Sequence, residues 1–208
     1  MHLVSRIEKR SSGRYQILLD GEDSIPLYWK ELKHYGIEEG EVRAEKDYQE
    51  IMEALLPVRA KKKALHLLER MDRTEQQLRQ KLTEGGYPPV VAEEAVSYVK
   101  QYHYIDDVRY AYAYMEAHRM SKSLRQLERE LYQKGISKED FRKAAAHLEV
   151  PDEEQQIREW MRKKRFCAAK AEQKETERFV RFLLYRGYTM SAIRNVIRQC
   201  AEDENSEM

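Results

Sequence analysis

Leu78-Arg79-Gln80-Lys81-Leu82, followed by Gly86-Tyr87, is the stretch that decides the fold of this chain, because the sequence repeats it twice. The second copy is Leu127-Glu128-Arg129-Glu130-Leu131 with Gly135-Ile136, and the third is Phe179-Val180-Arg181-Phe182-Leu183 with Gly187-Tyr188. The first apolar position moves from 78 to 127 and then to 179, in steps of 49 and 52 residues. Each copy places two apolar residues four apart on one helical face, followed by a glycine that can end a helix in a left-handed conformation. The copies therefore predict three related helical units.

The starts of these helices repeat as well. Thr74-Glu75-Gln76-Gln77 and Ser123-Leu124-Arg125-Gln126 are both capping boxes, in which the hydroxyl and the glutamine satisfy backbone N–H groups. The third copy has Glu175 at the equivalent position, so its helix starts earlier or continues the preceding one. A second amphipathic helix is predicted after each glycine, and a further helix opens each repeat, at 62–70, 107–120 and 152–171. Repeats of about 50 residues with three helices each predict an elongated, solenoid-like array.

The first thirty residues have a different character. Leu3–Ile7 and Tyr15–Leu19 carry β-type residues around the turn-like Ser11-Ser12-Gly13, which predicts a hairpin. Asp20-Gly21 is a second turn signal before a third extended piece at 24–28. Two strands alone are marginally stable in water, so this sheet must pack on neighbouring helices. Helices are predicted at 29–35, ended by Gly36, and at 46–56, ended by Pro57.

The predicted fold class is mainly α, with tandem three-helix repeats in an elongated array and a small N-terminal β-hairpin/α element. We expect an N-terminal extension over residues 1–58, repeats over 59–105, 106–150 and 151–201, and an acidic tail over 202–208. The repeat pattern also predicts which apolar side chains form the core. They are Leu78, Leu82, Leu127, Leu131, Phe179 and Leu183.

Composition excludes several classes of protein. With 208 residues, of which 41% are hydrophobic and 36% charged, the chain can bury a core without covalent cross-links. Cys167 and Cys200 have no second Cys or His at ligand spacing, so we expect reduced packing residues and no metal site. No apolar run approaches the roughly 20 residues of a membrane span, and no signal-peptide pattern opens the chain. We therefore expect a cytoplasmic protein that makes no membrane contact.

No pattern of catalytic residues is present in the sequence. The six histidines show no HExxH spacing, and neither a phosphate-binding glycine loop nor a nucleophile elbow occurs. Asp106-Asp107 is a carboxylate pair suited to metal or acid–base chemistry, but it begins a predicted helix, and a capping role explains it more simply. We expect no enzymatic activity, no catalytic residue and no cofactor.

Several segments between residues 60 and 200 resemble the RecX family. They are Ala64–Arg70, Arg73-Thr74-Glu75 with the motif at 78–82, Tyr104-Ile105-Asp106-Asp107, Tyr110-Ala111, and Leu131–Ile136. Each motif alone is weak, and their order and spacing make the match specific. The resemblance implies tandem three-helix repeats and a regulator of homologous recombination and DNA repair, connected with the SOS response. It further implies binding to the RecA filament on single-stranded DNA, with inhibition of its ATPase and strand exchange. The third repeat departs most from the family pattern.

Basic residues are the candidates for contact with such a partner. Residues 1–58 hold 8 Lys+Arg against 12 Asp+Glu, a charge of −4, whereas residues 59–201 hold 30 against 21, a charge of +9. A basic repeat region that follows an acidic N-terminal extension suits a nucleoprotein partner. These residues can also form solvated helix faces, cap helix carbonyls or pair with neighbouring carboxylates, so both interpretations stay open. The candidates are Lys61, Lys62, Lys63, Arg70, Arg73, Arg79, Lys81, Arg125, Arg129, Lys134, Arg162, Lys163, Lys164 and Arg165.

Two other functions stay open from the sequence. One is a sequence-independent DNA-binding protein, and the other is a helical-repeat adaptor for a different acidic protein. Steep salt dependence of binding to naked DNA favours the first of these, whereas binding only to recombinase-coated DNA favours a filament regulator. For the regulator we expect a monomer that binds the filament, with weak direct binding to DNA.

Overall fold

The computed structural model describes residues 1–10, 13–21, 23–149 and 152–206. It is mainly helical with a small β-sheet at the N-terminal end, which confirms the predicted mainly α class with an N-terminal β element. The chain divides into two compact units, residues 1–106 and residues 107–208. The sheet and the first repeat lie in the first unit, and the second and third repeats lie in the second.

An antiparallel sheet opens the described part of the first unit. Its strands are β1 (His2–Lys9), β2 (Arg14–Leu19), β3 (Asp23–Tyr28) and β4 (Val42–Arg43), in the order β3-β2-β1-β4. The predicted hairpin and third extended piece are confirmed, while Ser11 and Ser12 of the predicted turn lie outside the described residues. The β4 strand was not predicted, because two residues are too few to show an alternating pattern. It pairs with His2 and Leu3 of β1.

Helix α1 (Trp29–Tyr35) ends at Gly36, as predicted, with φ +57°. By contrast, the prediction that Pro57 ends a helix is wrong. Helix α2 (Glu45–Glu50), a π-helical segment (Ile51–Leu55) and helix α3 (Leu56–Arg70) follow one another directly. The Leu56 N–H bonds the carbonyl of Ile51, five residues back, which widens the backbone just before the proline. Pro57 is the second residue of α3, so its missing N–H falls where the bonding changes from π-helical to α-helical.

The first repeat consists of α3, α4 (Glu75–Glu84) and α5 (Pro89–Gln101). It shares one core with the sheet, as expected for strands that are marginally stable alone. Helices α3 and α5 pack together, and both carry fully buried alanines that allow a close approach. Representative core residues are Val4, Ile17 and Leu27 of the sheet with Ala60, Leu78, Leu82, Ala92 and Val96 of the helices.

The second unit holds the other two repeats. The second repeat consists of α6 (Asp107–His118), α7 (Leu124–Gln133) and α8 (Lys138–Ala145). The third consists of α9 (Glu153–Lys164), α10 (Gln173–Tyr185) and α11 (Met190–Ser206). Each repeat has a core of its own. The predicted helix 152–171 is too long, because Arg165 takes a left-handed conformation with φ +53° and ends α9. Helix α10 starts at Gln173, so the earlier start is confirmed and continuity with α9 is wrong.

The three repeat glycines end their helices in the same way. Gly86, Gly135 and Gly187 have φ of +90°, +91° and +82°. The N–H of the following residue bonds a carbonyl five positions earlier, from Tyr87 to Leu82 (3.2 Å), Ile136 to Leu131 (3.0 Å) and Tyr188 to Leu183 (3.2 Å). This is the Schellman arrangement, in which the residue after the glycine also packs on the helix. All six predicted core residues are at most 6% exposed, so that prediction is confirmed.

Candidate partner-binding surfaces

The lysine run at the start of the first repeat is not a single basic patch. Lys61, Lys62 and Lys63 are consecutive on α3 and therefore point in different directions. The Lys61 side chain contacts two residues of α5. Its Nζ lies 2.7 Å from the Glu94 carboxylate and 5.2 Å from the centre of the Tyr98 ring. Lys62 is exposed and Lys63 is half-buried. Of the three, Lys62 offers its charge most openly to a partner.

Arg70 and Arg73 lie at the junction of α3 and α4, where the sequence placed them. Arg70 is the last residue of α3 and is exposed, whereas Arg73 is half-buried. The Arg73 Nε is buried and has no hydrogen-bond partner among the described residues. Next to it, Thr74 accepts a bond from the Gln77 N–H (3.1 Å), and the Gln77 side chain accepts one from the Thr74 N–H (3.3 Å). This confirms the first capping box.

Arg79 and Lys81 are paired with carboxylates inside the first unit. Arg79 donates two bonds to Glu93 of α5, over 2.5 and 3.1 Å, and this pairing lowers the pKa of the Glu93 carboxyl. Lys81 lies 2.6 Å from Glu84, whose pKa is lowered by that bond. A partner that used these cations would compete with carboxylates already in place. Their assignment to a binding surface stays a prediction.

Arg125 and Arg129 are exposed, four residues apart on α7, and share one side of that helix. They line a surface cleft of about 370 Å³, which we call the α7–α8 cleft. Its lining residues are Arg125, Glu128, Arg129, Tyr132, Ile136, Ser137, Lys138 and Phe141. The sequence analysis missed Tyr132, because it followed charged residues, and it missed Lys138, because that lysine lies on α8 and not on the helix of the two arginines.

Lys134 does not line the α7–α8 cleft with Arg125 and Arg129 but contacts helix α6. Its Nζ is 5.2 Å from the centre of the Tyr114 ring of α6. Lys122 approaches the same ring and lies 2.6 Å from Glu130, which also accepts a bond from the Tyr114 hydroxyl over 2.6 Å. Burial alone would raise the pKa of Glu130, but the bonds from Lys122, Tyr114 and Gln126 outweigh it and lower the pKa to about 2. This network was not predicted.

The second capping box is only half formed. Ser123 is fully buried and its Oγ accepts the Gln126 N–H over 3.2 Å, as predicted. The Gln126 side chain instead donates to Glu130 over 2.9 Å. Its Oε1 is buried without a hydrogen-bond partner among the described residues. The glutamine thus supports the Glu130 network and not the start of α7.

The basic run at the end of α9 divides between an ion pair and two aromatic contacts. Arg162 lies 2.7 Å from Glu159, and the pair is exposed at Arg162. Lys163 lies 5.3 Å from the centre of the Trp160 ring, and Lys164 lies 5.0 Å from that of Phe182. Arg165 is exposed at the end of the helix. All four are accessible, and none is buried in the core.

Arg186 is a basic residue that the sequence reasoning missed. Its guanidinium carbon lies 4.2 Å from the centre of the Trp160 ring and 4.6 Å from that of Phe182. The Trp160 indole N–H donates to the Tyr188 hydroxyl over 3.3 Å. Stacking on two rings gives Arg186 a packing role in the third repeat. The only signal in the sequence was its place just before the repeat glycine.

Comparisons with known proteins identify the family. The model of the first three-helix domain of RecX matches residues 60–98, and that of the third matches residues 152–197. Regulatory protein RecX of Caldanaerobacter subterraneus is 30% identical over 198 residues, which cover 94% of this chain and 98% of the relative. This chain belongs to the RecX family. RecX of Vibrio parahaemolyticus is 34% identical over 136 residues, 64% of this chain and 86% of the relative.

Solved structures of RecX proteins share the fold. A crystal structure of regulatory protein RecX has a TM-score of 0.58 at 24% identity, and it covers 94% of this chain and 98% of the solved one. RecX from Lactobacillus salivarius has a TM-score of 0.57 at 17% identity over 70% of this chain. The two matched RecX domain models correspond to helices α3–α5 and α9–α11 described above.

Within the RecX fold seen here, the described residues contain no group of three or more His, Cys, Asp or Glu arranged to hold a metal ion. Among the same residues, no helix is both long and apolar enough to cross a membrane. What the surfaces do offer is exposed cationic side chains beside aromatic and aliphatic ones. Such surfaces can bind the acidic groups and apolar side chains of another macromolecule.

Proposed function

We propose that this chain is a cytoplasmic, non-enzymatic regulator that binds the RecA filament on single-stranded DNA and inhibits its ATPase and strand-exchange activities. The observation that carries the proposal is similarity over almost the whole chain to a relative named regulatory protein RecX. A regulator of this kind acts through the surface that it presents to its target. The function therefore depends on which side chains of the helical repeats are exposed.

The distribution of charge supports a nucleoprotein target. Residues 59–201 carry a charge of +9, and several of the cations there are exposed. Electrostatic attraction raises the rate at which such a protein finds a polyanionic assembly and restricts its orientation on arrival. The exposed cations include Lys62, Arg70, Arg125, Arg129 and Lys163.

The test is ATP hydrolysis by the cognate RecA on single-stranded DNA, measured with increasing amounts of this protein. We expect the hydrolysis rate to fall. The double variant Arg125→Glu/Arg129→Glu should inhibit less than the wild type at the same concentration. The matched control is Arg194→Glu/Arg198→Glu, which reverses two exposed arginines four apart on α11 and should inhibit normally. Melting temperatures of all proteins are compared to confirm that they are folded.

An unchanged hydrolysis rate at saturating concentrations of wild-type protein would overturn the proposal. The rival function, sequence-independent DNA binding, is tested by fluorescence anisotropy on naked single-stranded DNA over a series of salt concentrations. Affinity for naked DNA equal to that for the filament, with a steep salt dependence, would favour the rival. Tight binding only in the presence of RecA supports filament regulation.

A further inference from the structure

We infer that the α7–α8 cleft is a docking site for an acidic peptide segment that carries one large apolar side chain. The inference rests on the proposed function, because the segment is assigned to the recombinase that the chain regulates. It adds the chemistry of the contact, which the family similarity does not give.

The shape of the cleft suits a single inserted side chain. Arg125, Glu128, Arg129 and Tyr132 follow one another at the i, i+3, i+4 and i+7 positions of α7 and so form one wall. The floor is apolar, since Ile136 and Phe141 line the cleft and are 2% and 8% exposed. Tyr132 is 66% exposed beside it. A volume of about 370 Å³ accommodates an aromatic or aliphatic side chain above this floor.

The charge of the cleft suits carboxylates. Three cations, Arg125, Arg129 and Lys138, line it against one carboxylate, Glu128. An arginine presents a planar fork of N–H groups that can hold a carboxylate through two parallel bonds. Arg129 also donates to the backbone carbonyl of Tyr185 over 3.4 Å.

The repeats themselves show that the fold does not require these cations. At the positions of Arg125, Arg129 and Lys138, the first repeat has Gln76, Gln80 and Pro89. At the same positions the third repeat has Glu177, Arg181 and Met190. All three repeats nevertheless form the same helices with the same glycine turn. The set of three cations is thus a property of the second repeat and not of the three-helix fold.

A peptide explains the cleft better than a nucleic acid does. A phosphate backbone carries closely spaced charges along its whole length, so it would also meet the Glu128 carboxylate. A peptide can place separate carboxylates against Arg125 and Arg129 and leave Glu128 facing solvent. The apolar floor formed by Ile136 and Phe141 gives a phosphate nothing to bind, whereas it stabilises an inserted apolar side chain.

The test uses a fluorescent synthetic peptide made of Asp, Glu and Gly with one central Phe, added to the full-length protein in the absence of RecA and DNA. Binding is followed by anisotropy. We expect weak, saturable binding that falls about tenfold in the Arg125→Gln/Arg129→Gln variant, the ratio for a loss of about 1.4 kcal/mol. The control variant Arg194→Gln/Arg198→Gln should bind like the wild type. Glutamine is used because the first repeat already carries it at both cleft positions.

A peptide without Phe and an oligonucleotide separate the contribution of the apolar side chain from that of the negative charge. Replacing the central Phe of the peptide by Gly should abolish binding, because the apolar anchor is lost. Equal binding of the two peptides, or equal affinity of wild type and the Arg125→Gln/Arg129→Gln variant, would overturn the inference. Tighter binding of oligo(dT) than of the peptide, lost in the same variant, would overturn it in favour of a nucleic-acid site.

These results are distinguishable from a failure of the proposed function. If wild-type protein inhibits the RecA ATPase but the Arg125→Gln/Arg129→Gln variant inhibits equally well and binds the peptide equally well, only the cleft assignment fails. If the peptide binds as described but the ATPase is unaffected by wild-type protein, the cleft is a peptide site and the proposed target is wrong.

Discussion

Ser123 holds the end of α10 by donating a hydrogen bond from its Oγ to the backbone carbonyl of Arg186 over 2.7 Å. The same oxygen accepts the Gln126 N–H, so one buried hydroxyl both caps α7 and fixes the third repeat on the second. Gly187 comes next with φ +82°, and a Cβ there would lie 2.5 Å from Ser123 Oγ. This glycine therefore ends a helix and also permits the close approach of two repeats.

Gly187→Ala should destabilise the protein by about 2–4 kcal/mol, because the left-handed backbone disfavours a Cβ and the added methyl collides with Ser123. Urea unfolding followed by circular dichroism measures the change. Gly40→Ala is the matched control, since Gly40 has φ +87° with nothing within 4 Å of a Cβ, and only the backbone cost of about 1–2 kcal/mol applies. Equal losses in the two variants would show that the Ser123 contact contributes nothing.

Arg165→Gly should stabilise the protein by up to about 1 kcal/mol. Arg165 has φ +53° at the end of α9, a conformation that glycine adopts without strain. Lys164→Gly, one residue earlier and inside the helix, should instead destabilise by about 1 kcal/mol. Thermal unfolding of both variants gives the sign of each change, and a loss of stability in Arg165→Gly contradicts the assignment of strain.

Local signals were sufficient to predict much of the fold. A glycine after an amphipathic run predicted the helix ends at Gly86, Gly135 and Gly187, because the left-handed turn depends on a few adjacent residues. Two features ran against the local signals. A proline usually breaks a helix, but the π-helical segment precedes Pro57 and the helix continues through it. Arg165 ends α9 in a left-handed conformation that its residue type disfavours.

The candidate surface was predicted less well than the fold. Sequence can count cations but does not show which of them lie next to a carboxylate from another helix. Arg79 pairs with Glu93, 14 residues away, and Lys61 pairs with Glu94, 33 residues away. Conversely, Lys138 joins Arg125 and Arg129 only because α7 and α8 form one cleft. These relationships follow from helix packing, which a linear charge pattern does not contain.

Leu131→Ala should cost about 2–5 kcal/mol, since Leu131 is fully buried in the core of the second repeat and its truncation leaves a cavity. Leu124→Ala on the same helix is the control. Leu124 is 38% exposed, so its loss should cost less than about 1 kcal/mol. Denaturant unfolding gives both values, and similar midpoints for the two variants would contradict the assignment of Leu131 to the core.

Glu130→Gln should remove part of the acid sensitivity of the second unit. The folded-state pKa of Glu130 is about 2, below the ordinary glutamate value of 4.5, so the carboxylate stabilises the fold above pH 4.5 and this contribution is lost as the pH falls towards 2. The variant should therefore be less stable than the wild type by roughly 1–3 kcal/mol at pH 7, and the difference should shrink below pH 4.5. Chemical unfolding at a series of pH values measures both curves.

Glu128→Gln, exposed on the same helix, is the control and should follow the wild-type curve. Parallel curves for Glu130→Gln and wild type from pH 7 to pH 2 would mean that the bonds from Lys122, Tyr114 and Gln126 do not stabilise the carboxylate.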